Sequence, residues 1–172
     1  MRASIFIIEL LGRQVKRTRR ELEAAITRGW RAAQSRSDAH DEIVANALGI
    51  NRTDLRCIDI LDQEGRTTAG RLAELMGLTT GATTALLDRL ERVGYVQRVR
   101  DDEDRRRVFV EVTQTVQERA WPYYEPLVRV GQELYAGYTG PQLELLLDFL
   151  ERGAELSQRE LVRLRERLAE VE

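Results

Sequence analysis

The chain has 172 residues, 42% hydrophobic and 33% charged. That is enough for one domain or two small ones and too apolar for intrinsic disorder. A single cysteine (Cys57) and a single histidine (His40) exclude an internal disulfide framework and argue against a zinc site of the usual type, so neither metal nor cofactor is expected. The net charge of −2 hides an uneven distribution. Residues 2–36 carry nine basic and three acidic side chains, net +6, whereas residues 138–172 carry five basic and eight acidic, net −3. Lys16 is the only lysine. Arginine suits phosphate and base-edge contacts because its fork is planar and bidentate, although a coding bias toward Arg gives the same composition, so charge alone leaves nucleic-acid binding open.

Arg2 ahead of an apolar start has the outline of a leader segment, but Glu9 interrupts the run and no small-residue cleavage site follows. No apolar stretch approaches the ~20 residues of a membrane span. A soluble, cytoplasmic protein without a membrane partner is expected.

Residues 4–33 read as one long helix, with Ile5, Ile8, Leu11, Val15, Leu22, Ile26 and Trp30 recurring at helical spacing. Ser37 or Asp38 is placed to cap a short second helix that Gly49 ends. Asn51 to Asp54 forms a capping-box pattern before a third helix, with Leu55, Ile58 and Leu61 on its inner face and Gly65 closing it. Thr68 caps a fourth helix and Thr79 a fifth that ends at Gly94. Two short helices joined by a Gly-containing turn make a helix-turn-helix candidate. Gly77 supplies a positive φ in that turn, and Ala73 is small where the two helices cross. In the fifth helix Thr83, Leu86, Leu87, Leu90 and Val93 form the buried stripe, and Thr80, Gly81, Thr84, Ala85 and Asp88 face out.

Two strand-like segments follow, "YVQRVR" and "RVFVEVT", joined by the tip "DDEDRRR". Val108, Val110 and Val112 alternate with Phe109 and Glu111 as in a half-buried strand. Beyond them Thr113 or Thr115 starts a sixth helix, with Thr115 to Glu118 as a second capping box and Pro122 and Pro126 expected to kink it or delay its start. Pro141 fits the first turn of a seventh helix. There Leu143, Leu147, Leu150, Ala154, Ser157, Leu161, Leu164, Leu168 and Val171 recur as a heptad seam. Such a seam asks for a helix partner, either a second copy of the chain or the chain's own first helix.

The fold class read from this pattern is mainly α: a winged helix-turn-helix with a two-stranded β-wing and long N- and C-terminal dimerisation helices. Residues 1–50 are the N-terminal dimerisation helices, 51–113 the DNA-binding region and 114–172 the C-terminal dimerisation helices, in one intertwined domain. A recognition helix of this kind lies in the major groove with its N-terminal end toward the bases. Thr79 and Thr80 then sit beside phosphate, Thr84 reaches a base edge, and Gly81 is counted among the DNA-facing positions. The same threonines also serve as a cap and a solvated face. Arg98, Arg100, Arg105, Arg106 and Arg107 surround the wing, and an Arg at a projecting tip suits a narrow minor groove. Asp104 is spaced to hold Arg106 in one rotamer. A solvated charge run is the plainer reading of "DDEDRRR".

The contiguous stretch "RLAELMGLTTGATTALLDRLERVGYVQRVRDDEDRRRVFVEVT" resembles the winged helix of the MarR family of bacterial transcriptional regulators. The resemblance rests on Asp-Arg-Leu-Glu-x-x-Gly from Asp88 to Gly94, on Asp-x-Arg at Asp104 and Arg106, and on the closing Thr113. Gly81, Thr83 and Ala85 depart from the family's more usual Ser, Val and larger polar residue. The resemblance implies a homodimer on a palindromic double-stranded operator, acting as a repressor and released by a small aromatic or phenolic effector. It places the effector pocket between the dimerisation helices and the DNA-binding lobe, where Trp30, His40, Trp121 and Tyr123 are candidates, although aromatics also fill cores and interfaces. An oxidation-sensing regulator using Cys57 is the alternative. An enzyme is not expected, and no catalytic residue is assigned: no acid–base pair, phosphate loop or partnered nucleophile is found.

Overall fold

The computed structural model describes residues 17–101, 103–104 and 106–169. The chain divides into two compact units, Met1–Arg119 and Ala120–Glu172.

The first unit opens with helix α1, Arg19–Leu48, whose N-cap is Thr18. Thr18 Oγ1 accepts from the Glu21 amide at 3.3 Å while Glu21 Oε2 accepts from the Thr18 amide at 2.7 Å, a capping box that satisfies two otherwise orphaned donors. The sequence reading runs one helix from residue 4 to 33 and breaks it at Ser37 or Asp38. The continuity through Thr18 and the break are corrected, because Thr18 is in extended backbone and caps this helix, while Ile5, Ile8, Leu11 and Val15 lie outside the described residues. No Gly or Pro stands between Trp30 and Gly49, and Ser or Asp inside a helix costs only a fraction of a kcal/mol, roughly 0.5, so the helix runs through Ser37 and Asp38. It ends at Gly49, φ 73°, where the amides of Gly49 and Ile50 turn back to Asn46 and Ala45 carbonyls.

Helix α2, Arg52–Glu64, starts at the Asn51–Asp54 capping box. It buries Leu55, Cys57, Ile58 and Leu61. A short strand β1, Thr67–Thr68, leads into helix α3, Ala69–Met76, where Thr68 Oγ1 accepts from the Arg71 amide. Gly77 turns the chain at φ 68°. Helix α4, Thr80–Arg92, then starts with Thr79 Oγ1 accepting from the Ala82 amide at 3.2 Å. Thr83, Leu86, Leu87 and Leu90 of α4 are buried as expected. Val93 is not: it is 44% exposed, because it occupies the C-cap where the chain leaves the helical period.

Strands β2, Val96–Arg100, and β3, Val108–Val112, pair antiparallel with Arg98 opposite Val110 and Val99 opposite Phe109. The sheet has three strands in the order β1-β3-β2, with Thr68 opposite Phe109. The expected two-stranded wing is therefore extended by β1, whose two residues are too few to leave a periodic signal. Val110 is buried but Val108 is 40% exposed near the tip. Tyr95, 1% exposed, donates its hydroxyl to the Leu48 carbonyl at 2.9 Å and so ties the base of the wing to the end of α1.

Helix α5, Gln114–Tyr135, contains both Pro122 and Pro126. Its start is not delayed, although each proline lacks the amide that would bond four residues back. Thr115 lies inside this helix and does not cap it. Gln114 Nε2 instead donates to Glu118 Oε1 at 2.7 Å. In the second unit helix α6, Gly140–Ala169, follows Thr139, whose amide and hydroxyl both donate to Gln142 Oε1. Of the leucine seam, Leu147, Leu150, Leu161, Leu164 and Leu168 are exposed; Val171 lies outside the described residues. No helix among the described residues is long and apolar enough to cross a membrane.

One ion pair fixes how α4 meets α2. Asp54, 2% exposed, receives Arg89 Nε at 3.1 Å and Nη2 at 2.5 Å across 35 residues of sequence. Removing Arg89 strands a buried carboxylate, whereas removing Asp54 frees a guanidinium that is already 45% exposed. Arg89→Ala is expected to cost about 3 kcal/mol, against about 1 kcal/mol for loss of the Asn51 cap by Asn51→Ala. Equilibrium urea unfolding of the two variants checks the order. On the same helix, burial and the nearby Asp41 carboxylate push the Asp59 carboxyl up to about 6 from 3.8, against the pull of Arg52. A raised acid penalises the folded state once it ionises, so stability falls as pH rises from about 4 through 6. Asp59→Asn should therefore stabilise by on the order of 1–3 kcal/mol above pH 7 and by nothing at pH 3.5. Melting curves at the two pH values check it, and a gain that is the same at both would count against the assignment.

Candidate nucleic-acid interface

The turn between α3 and α4 presents the N-terminal half of α4 outward. Thr79, Thr80, Gly81, Thr84, Ala85 and Asp88 are all exposed. Thr79 spends its hydroxyl on the cap. Thr84 donates its hydroxyl to the Thr80 carbonyl at 2.9 Å, which holds the side chain in one rotamer and leaves its oxygen as an acceptor and its methyl exposed. A Cβ at Gly81 would meet nothing within 4 Å, so the glycine is not required by the fold. It keeps the helix surface low, as do Ala82 and Ala85. The exposed half of α4 is a shallow hydroxyl-and-methyl face with few long side chains.

The arginines of the wing divide into three situations. Arg98 is tied back to the recognition helix: Nη2 donates to Asp88 at 2.7 Å and Nη1 to Glu91. Its guanidinium couples β2 to α4 and does not project. Arg100 is exposed at the end of β2 and has no carboxylate partner among the described residues. Arg106 stands at the tip with 93% of its side chain exposed, and its Nε donates to Asp104 Oδ1 at 3.2 Å. The same oxygen accepts the Arg106 amide at 3.1 Å, so one carboxylate fixes both the turn and the start of the side chain. Arg107 leans the other way, toward Asp101 at 3.9 Å and over the Phe109 ring. Arg105 and Asp102 lie outside the described residues.

Asp101 answers why acids crowd the tip. It is 9% exposed, and its Oδ1 accepts from the amides of Glu103 at 2.8 Å and Asp104 at 3.3 Å. Those bonds hold its carboxyl below the usual carboxylate range. The backbone closes the loop beside it, with the Asp101 amide on the Arg107 carbonyl and the Arg107 amide on the Asp104 carbonyl. The carboxylate organises the loop from within. Arg66 is a residue the reading passed over. It precedes β1 and lies over the Phe109 ring at 4.9 Å, a pairing that depends on the third strand.

The effector candidates fall in separate units. Trp30 and His40 are half-buried on α1, with His40 Nδ1 3.7 Å from Asp41. Trp121 and Tyr123, on α5, are 53% and 41% exposed. Cys57 is fully buried, and burial pushes its thiol up to about 12. A thiol this far from ionisation is a poor nucleophile toward oxidants, so the oxidation-sensing alternative is not favoured.

Comparison with known proteins agrees with this geometry. A family model described as the MarR family matches residues 50–108. The HTH-type transcriptional regulator YcgE of Bacillus subtilis (strain 168), itself uncharacterized, is 37% identical over 151 residues, spanning 88% of this chain and 98% of YcgE. Among solved structures, a MarR family protein from Bacillus stearothermophilus superposes with a TM-score of 0.60 at 20% identity, covering 83% of this chain and 99% of that one. A mutant of S. aureus MepR bound to an oligodeoxyribonucleotide superposes with a TM-score of 0.50 at 17% identity, covering 76% and 96%. With a relative matched over nearly its full length and the winged helix in place, the chain belongs to the MarR family of helix-turn-helix transcriptional regulators.

Proposed function

We propose that the protein is a homodimeric, sequence-specific regulator, acting as a repressor, that binds a palindromic double-stranded operator and is released by a small-molecule effector. The observation that carries the reading is the wing tip. A fully projecting Arg106 is held by Asp104 beside a helix-turn-helix whose outer face is free of bulk. An Arg ordered in this way loses little rotamer freedom on entering a groove, and a narrow minor groove concentrates the negative potential that attracts it. Thr79, Thr80, Gly81 and Thr84 serve the major groove, and Arg100, Arg105 and Arg107 serve the flanking backbone. Arg98 acts through the recognition helix by fixing its angle to the wing. The oligodeoxyribonucleotide bound to the MepR mutant supports DNA as the partner class.

Dimerisation is supported by the exposed leucines of α6, which repeat along four turns and more of helix. Two recognition helices must engage half-sites about 34 Å apart at once. The effector is proposed to be a small aromatic or phenolic compound contacting Trp30, His40, Trp121 or Tyr123.

An electrophoretic shift on DNA from upstream of the protein's own gene tests the reading directly, and absence of any shift at low salt would count against it. Arg106→Ala should weaken operator binding by roughly 1–3 kcal/mol and leave the melting temperature unchanged. Asp104→Ala removes a negative charge near DNA, so simple electrostatics predicts tighter binding. The orienting role predicts weaker binding, and the sign of the change decides between them. Truncation after residue 140 removes α6 and should abolish the dimer and operator binding together. A truncated chain that sediments as a dimer would remove the seam from the interface.

A further inference from the structure

The outer face of the sheet carries a cationic cluster that joins Arg107 of the wing to Arg66, a residue outside both the recognition helix and the wing tip. Along β3 side chains alternate, so Phe109 lies on the face opposite buried Val110. Two guanidiniums lie over its ring: Arg66 Cζ at 4.9 Å and Arg107 Cζ at 5.1 Å from the centroid. Each contact is favourable by itself, because the ring face is negative. Together they hold two like charges on one side chain. Among the described residues the cluster sets two guanidiniums against one carboxylate, Asp101, whose Oδ2 is 3.9 Å from Arg107 and whose charge also acts on Arg66, so it carries a net positive charge. Contact with the ring localises each guanidinium, and its planar fork of N–H donors suits an oxygen anion with two acceptors.

Resting on the DNA-binding reading above, we propose that Arg66 and Arg107, held on Phe109, form a phosphate-binding site at the root of the wing that grips the backbone of duplex DNA. The placement favours a backbone phosphate over a base. Thr68, paired with Phe109 across the sheet, is also the N-cap of α3. In a helix-turn-helix the first helix crosses the DNA backbone while the second reads the groove. The first amides of α3 present the positive end of that helix beside the same strand. The site lies apart from α4, which carries the base-reading positions, so its contribution is the same for every sequence.

The test measures fluorescence anisotropy with two labelled duplexes, one selected by the protein from a random pool and one of scrambled sequence and equal length, between 50 and 200 mM salt. Arg66→Ala should weaken binding to both duplexes by the same factor, about five- to tenfold at 100 mM salt, and reduce the slope of log affinity against log salt by about 1. Arg66→Lys keeps the charge but not the planar bidentate fork, so its slope should match the unmodified protein while affinity still falls. Phe109→Leu should reproduce part of the Arg66→Ala loss on both duplexes. Unchanged affinity and slope in Arg66→Ala would overturn the site, as would a loss confined to the selected duplex. Failure of the unmodified protein to bind either duplex would overturn the DNA-binding reading itself, an outcome distinct from the failure of this site.

Discussion

The buried carboxylate of Asp54 and the guanidinium of Arg89 hold the recognition helix in place. Apolar packing through Leu86, Leu87 and Leu90 keeps α4 on the core, but packing of leucines tolerates rotation and sliding of a helix about its axis. A bidentate Arg–carboxylate pair does not, because two parallel hydrogen bonds define a plane. Asp54 is itself immobile: it is the fourth residue of the α2 capping box, with its backbone and side chain both committed to Asn51. The orientation of α4 is thus referred back to the first turn of α2. From α4 it passes on through Asp88 and Glu91 to Arg98 on β2. A chain of charged pairs links α2, the recognition helix and the wing, and each link has an oxygen plane that sets an angle.

The wing shows why opposite charges crowd a loop that a purely electrostatic argument would keep basic. Asp101 is spent internally on amides, and Asp104 is spent on the turn and on Arg106. Both carboxylates neutralise backbone donors before they oppose any anion. Asp101 is placed under the loop and Asp104 alongside the Arg106 guanidinium. A loop with neutral residues at these two positions would be more positive but would lose the bonds that order the turn and Arg106.

Much of this was legible from residue order. Capping boxes and glycines mark local chemistry, and the Asn51–Asp54 box, the Thr68 and Thr79 caps and the positive φ of Gly77 all stand where the pattern placed them. The winged helix and its family followed from the same stretch. What misled was continuity. Thr18 starts a helix inside an unbroken apolar period, and Ser37 and Asp38 fail to end one because cap-forming residues are only mildly unfavourable in a helix interior. Long-range pairs left no trace. Asp54 and Arg89 are 35 residues apart, β1 is two residues long, and Arg66 acquires a role only once β1 has paired with β3 and brought it over Phe109. Arg98 was grouped with the groove-facing arginines because its partners, Asp88 and Glu91, lie on another element.

The recognition helix is divided along its length. Every side chain that anchors it by charge, Asp88, Arg89 and Glu91, lies in its C-terminal half. The exposed positions Thr80, Gly81, Thr84 and Ala85 lie in its N-terminal half and hold up no other element. Gly81 has open space around a prospective Cβ, and Ala85 is solvent-facing. Substitutions there need not trade stability for a new preference, so paralogues that diverge in the sites they read can do so by drift at four positions while the mounting of the helix stays intact. Retargeting by design has the same latitude: larger polar residues introduced at Gly81 and Ala85 would add reach to a face that the scaffold already holds rigid.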